Sequence, residues 1–154
     1  MTFLVFSDSH GSTYSMDTAL ELEPHVDGIV FCGDIARDAD YLRDQYPNKP
    51  LYAVRGNNDL FCEDPYLLIT ELDGVRTYIT HGHKERVKFG YYELASLCSK
   101  HNCKLALFGH THAPFQDSIA GVSLVNPGSI RSSHGSYARI ITNGGNFSAE
   151  IVHL

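Results

Sequence analysis

The sequence predicts an α/β fold with two sheets, and two features support this prediction. In the first half, short apolar runs alternate with helix-forming segments, which is typical of a parallel sheet with crossover helices. In the second half, short apolar runs are separated by turns rich in Gly, Asn and Pro. That pattern favours mostly antiparallel strands packed as a second sheet. The 154 residues are expected to form one domain, 1–154.

The first half contains three predicted strands and two predicted helices. Each strand is an apolar run bounded by polar turn residues, as in a buried parallel sheet. Each helix ends near a proline, Pro24 or Pro47, because proline cannot continue an α-helix. The predicted strands are Phe3–Phe6, Gly28–Cys32 and Leu51–Val54, and the predicted helices are Thr18–Glu23 and Asp38–Tyr46.

The second half begins with a predicted hairpin. Asp73 and Gly74 separate two apolar runs, and an Asp-Gly pair in that position indicates a type I′ turn. Tyr91–His101 has apolar residues at helical spacing and is the strongest helix prediction. The predicted strands are Leu67–Leu72, Arg76–Thr80, Lys104–Phe108, Phe115–Ala120, Val122–Val125, Tyr137–Thr142 and Phe147–Val152.

Composition restricts the class of protein and its partners. Hydrophobic residues make up 43% of the chain and charged residues 19%, which predicts a globular protein. The net charge of -6 argues against binding to duplex nucleic acid. No run of about 18 apolar residues occurs, so we expect no membrane span. The four cysteines include no Cys-x-x-Cys pair, which fits a reduced, cytoplasmic protein.

Side chains that can bind metals follow several of the predicted strands. Carboxylate, amide and imidazole groups together suit Mn, Fe, Co, Ni or Zn, and the absence of thiolates argues against a structural zinc site. Seven such residues are too many for one tetrahedral ion but suit two ions that share a carboxylate. We therefore expect a metal-dependent hydrolase whose candidate ligands are Asp8, His10, Asp34, Asn57, His81, His110 and His112.

Each of these residues also has a simpler interpretation. Asp8, Asp34 and Asn57, taken one at a time, are common as helix caps or turn residues. His83 is predicted to orient a ligand through a hydrogen bond rather than to bind metal itself. Asp59 either orients a neighbour or caps a turn, and the sequence leaves these two alternatives open.

Five motifs, in this order, resemble those of the calcineurin-like metallophosphoesterases, and in particular the small bacterial and archaeal phosphodiesterases. The motifs are Asp8-Ser-His10, Gly33-Asp34, Gly56-Asn57-Asn58-Asp59, His81-Gly82-His83 and Gly109-His110-Thr-His112. The resemblance implies a four-layer α/β/β/α sandwich of two mixed sheets flanked by helices. It also implies that one ion binds Asp8, His10, Asp34 and His112, and that the other binds Asp34, Asn57, His81 and His110.

The resemblance further implies a phosphodiesterase that hydrolyses small phosphate diesters by in-line attack of a hydroxide bridging two divalent ions. Manganese is the expected metal, with Fe, Co, Ni or Zn as alternatives. The expected catalytic residues are Asp34, Asn57, Asn58 and His83. Many relatives carry a histidine at the position of Asn58, where it can protonate the leaving group. A neutral amide cannot do so.

Three alternatives to the phosphodiesterase follow from the same family. Protein phosphatases and other phosphomonoesterases, and dinucleoside polyphosphate hydrolases, typically carry Gly-Asp-x-x-Asp-Arg-Gly and Gly-Asn-His-Glu. Neither sequence is present here, where Gly33 and Gly56 begin different motifs. A non-catalytic scaffold of the retromer type uses the same small fold, but retention of all seven ligand types favours the enzyme. The physiological substrate, the native metal and any homo-oligomer stay open.

Overall fold

A computed structural model describes residues 1–154. The polypeptide forms two five-stranded sheets and three α-helices. A short 3₁₀ turn, Val87–Phe89, precedes the last helix. No helix is long and apolar enough to cross a membrane. In chain order the elements are β1 (Thr2–Phe6), α1 (Thr13–Leu22), β2 (Gly28–Phe31), α2 (Ala36–Gln45), β3 (Leu51–Ala53), β4 (Leu67–Leu72), β5 (Val75–Thr80), α3 (Tyr92–Lys100), β6 (Leu105–Leu107), β7 (Phe115–Ile119), β8 (Val122–Asn126), β9 (Ser136–Asn143) and β10 (Asn146–His153).

Both sheets are mixed. The first has the order β10-β9-β1-β2-β3, in which β1, β2 and β3 are parallel and the hairpin β9–β10 is antiparallel to β1. The second has the order β4-β5-β6-β8-β7, in which β5, β6 and β8 are parallel and the edge strands β4 and β7 are antiparallel. The predicted α/β class with two mixed sheets is therefore confirmed.

Three apolar clusters show how the layers stack. Alternate side chains of a strand point to opposite faces, so Phe3 and Val5 of β1 enter the cluster between the two sheets, whereas Leu4 and Phe6 pack against α1 and α2. A third cluster joins α3 to the outer face of the second sheet. The order of layers is thus α/β/β/α, as expected from the family resemblance.

The prediction that the later strands form a mostly antiparallel second sheet was wrong in two respects. The last hairpin joins the first sheet, where Thr2 of β1 pairs with Ile141 of β9. The centre of the second sheet is parallel, because α3 crosses over from β5 to β6. An alternating apolar pattern identifies a strand, but it does not identify the strand's partner.

Two helices begin earlier than predicted. Helix α1 begins at Thr13 rather than Thr18, because Met16 faces the sheet together with Ala19 and Leu20. Helix α2 begins at Ala36 rather than Asp38, and the Ala36 N–H donates to the carboxylate of Asp59 at 2.7 Å. The side chain that satisfies this helix start lies 23 residues away, so the local sequence does not reveal it.

The predicted hairpin between β4 and β5 is confirmed. Asp73 and Gly74 have φ angles of 49° and 80°, and a type I′ turn requires positive φ at both central residues. The register then pairs Leu72 with Val75 and Leu67 with Thr80. Because β5 ends at Thr80, the hairpin determines where the following histidine motif leaves the sheet.

Candidate metal centre

The candidate ligands lie in loops that follow the parallel strands of both sheets. Because parallel strands end at the same edge of a sheet, these loops are neighbours, as is usual for α/β ligand sites. Backbone hydrogen bonds join them in pairs: Asp8 N–H donates to the Gly33 carbonyl, and Gly109 N–H donates to the His81 carbonyl, both at 3.0 Å. His110 N–H in turn donates to Asp8 Oδ2 at 3.0 Å, so the loops of the two sheets meet at one end of the sandwich.

A first group consists of Asp8, His10 and His112. Their ligand atoms all lie within 4.8 Å of one another. His112 Nε2 is 3.1 Å from Asp8 Oδ1 and 3.3 Å from His10 Nε2. The carboxylate is fully buried, whereas both histidines are exposed, so the group opens to solvent on one side.

A second group surrounds the ring of His81. His81 Nε2 lies 3.2 Å from Asn57 Oδ1, 3.2 Å from His110 Nδ1 and 3.6 Å from Asp34 Oδ2. Asp8, Asp34 and His81 also have ligand atoms within 4.8 Å of one another. The structure thus brings together all seven residues that the sequence suggested, with Asp8 within reach of both groups.

The spacing of these atoms fits divalent ions. Two ligand atoms that are each about 2.1 Å from one ion, at a tetrahedral angle, lie about 3.4 Å apart. The short contacts around His112 and His81 are 3.1–3.6 Å. Asp8 Oδ1 is buried and accepts no hydrogen bond, although its other oxygen accepts bonds from the Ser7 hydroxyl and His110 N–H. One carboxylate oxygen is therefore available for a cation.

Charge leads to the same conclusion. Asp8 and Asp34 are 0% and 2% exposed, and neither forms an ion pair with lysine or arginine. Buried carboxylates without a cation are costly, because they lose their hydration. His81 Nδ1 lies 2.7 Å from the Cys32 carbonyl, which requires Nδ1 to carry the proton. Its Nε2 lone pair then points into the cluster, as metal binding needs.

The backbone is strained at most of these residues. Positive φ is uncommon for residues other than glycine and costs on the order of 1–3 kcal/mol each. Such strain is concentrated at functional sites, where the surrounding structure holds it in place. The φ angles, between 48° and 70°, belong to five of the seven candidate ligands: Asp8, His10, Asp34, His110 and His112.

The imidazoles of His110 and His83 are held in their neutral form. Burial, followed by repulsion from His81 and Lys88, lowers the pKa of His110 from 6.5 to about 4. Burial, His81 and Lys84 lower the pKa of His83 in the same way. Near pH 7 both rings therefore keep a free lone pair, so His110 need not lose a proton before it binds a cation.

Asn58 and His83 flank the cluster. The Asn58 backbone N–H donates to Asp34 Oδ1 at 3.2 Å, and its side-chain Nδ2 donates to Asp34 Oδ2 at 2.7 Å. The His83 ring centre lies 5.6 Å from that of His81 and 6.0 Å from that of His110. His83 Nδ1 is buried and makes no hydrogen bond, so the predicted bond from His83 to a ligand is not seen.

Asp59 fulfils both of the alternatives that the sequence left open. Its Oδ2 accepts the N–H groups of Gly56 at 2.7 Å and Asp34 at 3.1 Å, and its Oδ1 accepts the N–H of Ala36 at 2.7 Å. The side chain therefore orients the loop that carries Asp34 and also satisfies the start of α2. It is 6% exposed, so this carboxylate serves the protein rather than a ligand in solvent.

Asp38 supports the site but was not singled out from the sequence. Its Oδ2 accepts the Ser9 hydroxyl at 2.6 Å and the Gly11 N–H at 2.7 Å, which holds the loop carrying Asp8 and His10. An aspartate in the first turn of a helix is ordinarily explained by the helix dipole. The available signal was its position beside Ala39 and Leu42 on the buried face of α2.

The segment Asn126–Ser129, expected from the sequence to form a tight turn, also contacts the site loops. Asn126 Nδ2 donates to the Gly109 carbonyl at 2.9 Å, and Ser129 Oγ donates to the Asp8 carbonyl at 2.7 Å. Gly128 has a φ of 81°, which permits the turn. The segment therefore braces two loops that carry candidate ligands.

Known proteins resemble this chain in sequence and in architecture. The family described as calcineurin-like phosphoesterase superfamily domain matches residues 1–143. The probable metallophosphoesterase YsnB of Bacillus subtilis (strain 168) is 30% identical over 133 residues, which are 85% of this chain and 76% of that protein. A conserved uncharacterised protein from Streptococcus pneumoniae TIGR4, described as a predicted phosphoesterase, has a TM-score of 0.80 at 26% identity, covering 99% of this chain and 88% of that one.

A third likeness concerns the fold alone. A structure described as a novel archaeal phosphodiesterase superposes with a TM-score of 0.74 at 20% identity, covering 99% of this chain and all of that one. The family model matches residues 1–143, a range that contains most of the two mixed sheets and all of the loops at their carboxyl ends. This chain belongs to the calcineurin-like phosphoesterase superfamily.

Proposed function

We propose that this protein is a phosphodiesterase that uses two divalent ions to hydrolyse small phosphate diesters. The observation that carries the proposal is the buried Oδ1 of Asp8, which accepts no hydrogen bond and belongs to both groups of ligand-type atoms. Those groups open to solvent through the exposed side chains of His10, Asn57 and His112. A phosphate group of a small molecule can reach such a centre without any movement of the sheets.

The proposed ligand sets follow the family resemblance, and the contacts around His112 and His81 support most of their members. One ion would bind Asp8, His10, Asp34 and His112, and the other would bind Asp34, Asn57, His81 and His110. Two bound divalent ions supply Lewis-acid activation of water and of the phosphoryl oxygens. Asp34 is the proposed bridge. Asn58 would hold its carboxylate in place through the two hydrogen bonds at 3.2 Å and 2.7 Å.

A direct attack by water suits the residues near the centre better than a covalent intermediate. Cys32, whose carbonyl lies 2.7 Å from His81 Nδ1, is fully buried, and burial followed by the charge of Asp8 raises the pKa of its thiol. A protonated, inaccessible thiol is a poor nucleophile. Ser7 is also buried, and its hydroxyl is engaged with Asp8 at 2.5 Å.

A diester substrate is favoured over a monoester by the loops that carry Asp34 and Asn57. The chain lacks the arginine of the Gly-Asp-x-x-Asp-Arg-Gly motif, which phosphatases in the family carry after the bridging aspartate. The archaeal phosphodiesterase of the same fold supports the same choice.

Manganese and a reducing compartment complete the proposal. Oxygen and imidazole ligands without thiolate suit Mn, although affinity alone favours the later divalent metals of the Irving–Williams series. All four cysteines are free, and three of them are buried. Free thiols are typical of proteins from the cytoplasm, where disulfides are rare. The centre itself contains no cysteine, so its candidate ligands are not subject to thiol oxidation.

The direct test compares bis(p-nitrophenyl) phosphate with p-nitrophenyl phosphate. Protein freed of metal by chelation is supplied separately with Mn, Fe, Co, Ni, Zn and Mg. We expect metal-dependent hydrolysis with the diester preferred, and a loss of ~10²-fold or more in His81→Asn, given what metal activation contributes. His153→Asn, at an exposed position in β10, is the matched control.

Two outcomes would contradict parts of the proposal. A preference for the monoester would remove the diester assignment while leaving a phosphoesterase. Protein that binds two ions per chain and hydrolyses neither ester would instead favour a non-catalytic role for the fold.

A further inference from the structure

Three cations lie on one side of the metal centre. The guanidinium carbon of Arg55 is 4.1 Å from the ring centre of Tyr66, and the Lys84 ammonium is 3.7 Å from the same point. Cation–π contacts of this kind hold a positive group in place without neutralising it. The third cation, Lys88, belongs to the 3₁₀ turn that follows Lys84. Positive charge is therefore concentrated around one aromatic ring and the adjoining turn.

No carboxylate neutralises this group. Arg55, Lys84 and Lys88 form no ion pair, whereas Arg43 and Arg139 each contact two carboxylates. Nε of Arg55 is buried and has no hydrogen-bond partner. Most lysines and arginines of this chain also lack an ion pair, so the distinguishing feature of these three is their position beside the metal centre. In a chain with a net charge of -6, neighbouring cations at that position attract an anion from solvent.

The segment that carries the two lysines is held rigidly. Glu85 is 5% exposed and accepts hydrogen bonds from the Tyr78 hydroxyl at 3.1 Å and the Thr80 hydroxyl at 3.0 Å. Val87 is also buried, and a Cβ on Gly82 would lie only 2.8 Å from its Cγ2. Lys84 and Lys88 alternate with these anchored residues and are exposed, so the turn presents its cations with little loss of entropy on binding.

The cations adjoin the candidate ligands. The Tyr66 ring centre is 5.6 Å from that of His83, which in turn is 6.0 Å from that of His110. Burial is the main cause of the lowered pKa of His83 and of His110, and repulsion by Lys84 and Lys88, respectively, adds to it. The Tyr66 ring, which holds two of the cations, is thus separated from the second group of candidate ligands by the ring of His83.

We propose that Arg55, Lys84 and Lys88 form an anion subsite that binds a second phosphate group of the substrate, next to the phosphate that is hydrolysed. The inference rests on the proposed function and narrows its substrate class to small diesters that also carry a phosphate monoester. Charge-assisted hydrogen bonds to a phosphate give both affinity and orientation. Tyr66 acts here as a positioning residue that holds two of the cations.

A matched pair of substrates tests the subsite. Thymidine 5′-(p-nitrophenyl phosphate) and the same ester with a 3′-phosphate share the scissile bond and the leaving group. For the wild-type protein with Mn we expect a kcat/KM about tenfold higher for the phosphorylated ester, mainly through a lower KM. Added salt should reduce this ratio, because exposed charges are screened.

Variants then assign the effect to residues. Lys84→Gln and Arg55→Gln should each lower the ratio, and the double variant should lower it further, leaving only the contribution of Lys88. Lys104 is exposed and immediately precedes β6, at the end of that strand away from His110. Lys104→Gln should therefore keep the wild-type ratio. A ratio near one in the wild type, or a ratio that the double substitution leaves unchanged, would overturn the proposal.

A binding measurement separates the subsite from the chemistry. Calorimetry with thymidine 3′,5′-bisphosphate and thymidine 5′-monophosphate measures the same preference without turnover. Roughly tenfold tighter binding of the bisphosphate, reduced in the double variant, supports the subsite even if neither ester is hydrolysed, in which case the proposed function fails alone. Equal affinities in the wild type would overturn the subsite whatever the catalytic activity.

Discussion

A Cβ atom on Gly56 would lie 1.8 Å from Oδ1 of Asp34. The backbone at residue 56 and this carboxylate are therefore so close that only glycine fits. The φ angle of Gly56 is not positive, which leaves the contact itself as the reason for glycine. The approach holds the carboxylate between the loops after β2 and β3. Replacement of this glycine therefore displaces a proposed metal ligand without altering any ligand's chemistry.

Gly56→Ala is predicted to reduce metal content and diester hydrolysis together. Asp34 must move away from a methyl group at that distance, and both ions are proposed to bind it. Metal analysis after dialysis and the rate on bis(p-nitrophenyl) phosphate measure the two effects. Gly144→Ala is the control for a glycine away from the centre: a Cβ there meets nothing within 4 Å, and the φ of 54° adds backbone strain without contact to a candidate ligand. Two tightly held ions in Gly56→Ala would contradict the proposed position of Asp34.

Asp34→Asn and His10→Ala are predicted to have different effects on metal binding. If Asp34 bridges, its loss damages both sites, with a rate loss of ~10²-fold or more. His10 contacts only the first group, so His10→Ala should weaken one site and leave the other. Metal analysis and activity distinguish the two cases. A near-normal rate with two ions per chain in Asp34→Asn would remove the bridging assignment and make Asp8, which reaches both groups, the alternative.

The local sequence predicted the residues of the candidate site better than it predicted how the strands pair. Asp8 and His110 each follow a short apolar strand, and a strand followed by a ligand-type residue is visible without knowledge of the fold. The location of the β9–β10 hairpin beside β1 was not predictable in this way. Its pairing joins Thr2 to Ile141, and no local pattern encodes a contact over that separation.

The support around the candidate ligands was harder to predict for the same reason. Asp38 and Asp59 act on loops that precede them in the chain by more than twenty residues, through hydrogen bonds to Ser9 and Asp34. The left-handed backbone at His10 and Asp34 has no sequence signal either, since neither residue is glycine. Such strain depends on the packing of the whole site.

The metal-free protein is predicted to lose stability as the pH falls from about 6.5 towards 4. The folded-state pKa of His110 is lowered from 6.5 to about 4, so in this range the unfolded chain binds a proton that the folded chain does not. Stability therefore rises with pH through this range. Urea unfolding at several pH values, with chelator present, measures the slope.

The slope can be assigned to His110 by substitution. His110→Gln should reduce the dependence between pH 6.5 and 4, because glutamine does not titrate, and the lowered pKa of His83 accounts for part of the dependence that remains. His153→Gln, at an exposed position, should leave it as in the wild type. An unchanged slope in His110→Gln would show that other groups cause the acid sensitivity.

The last prediction concerns Asn58, a neutral amide at a position where many relatives have histidine. Its Nδ2 donates to Asp34 at 2.7 Å, so the side chain lies beside the proposed bridge but has no proton to give to a leaving group near pH 7. General-acid help is typically worth ~10²–10⁴-fold and matters most for poor leaving groups. We therefore predict slow hydrolysis of alkyl esters and faster hydrolysis of aryl diesters, whose leaving groups depart unprotonated.

A series of diesters with leaving groups of increasing pKa tests this prediction on the wild type, Asn58→His and His83→Ala. The wild-type rate should fall steeply as the leaving-group pKa rises. Asn58→His should raise the rate mainly for alkyl esters and flatten the series, because an imidazole beside Asp34 gains a proton more readily. A flat wild-type series would mean that an acid is already present. If His83→Ala then became steep, His83 would be identified as that acid, and its pKa in the metal-loaded protein would have to be higher than the lowered pKa of the metal-free protein.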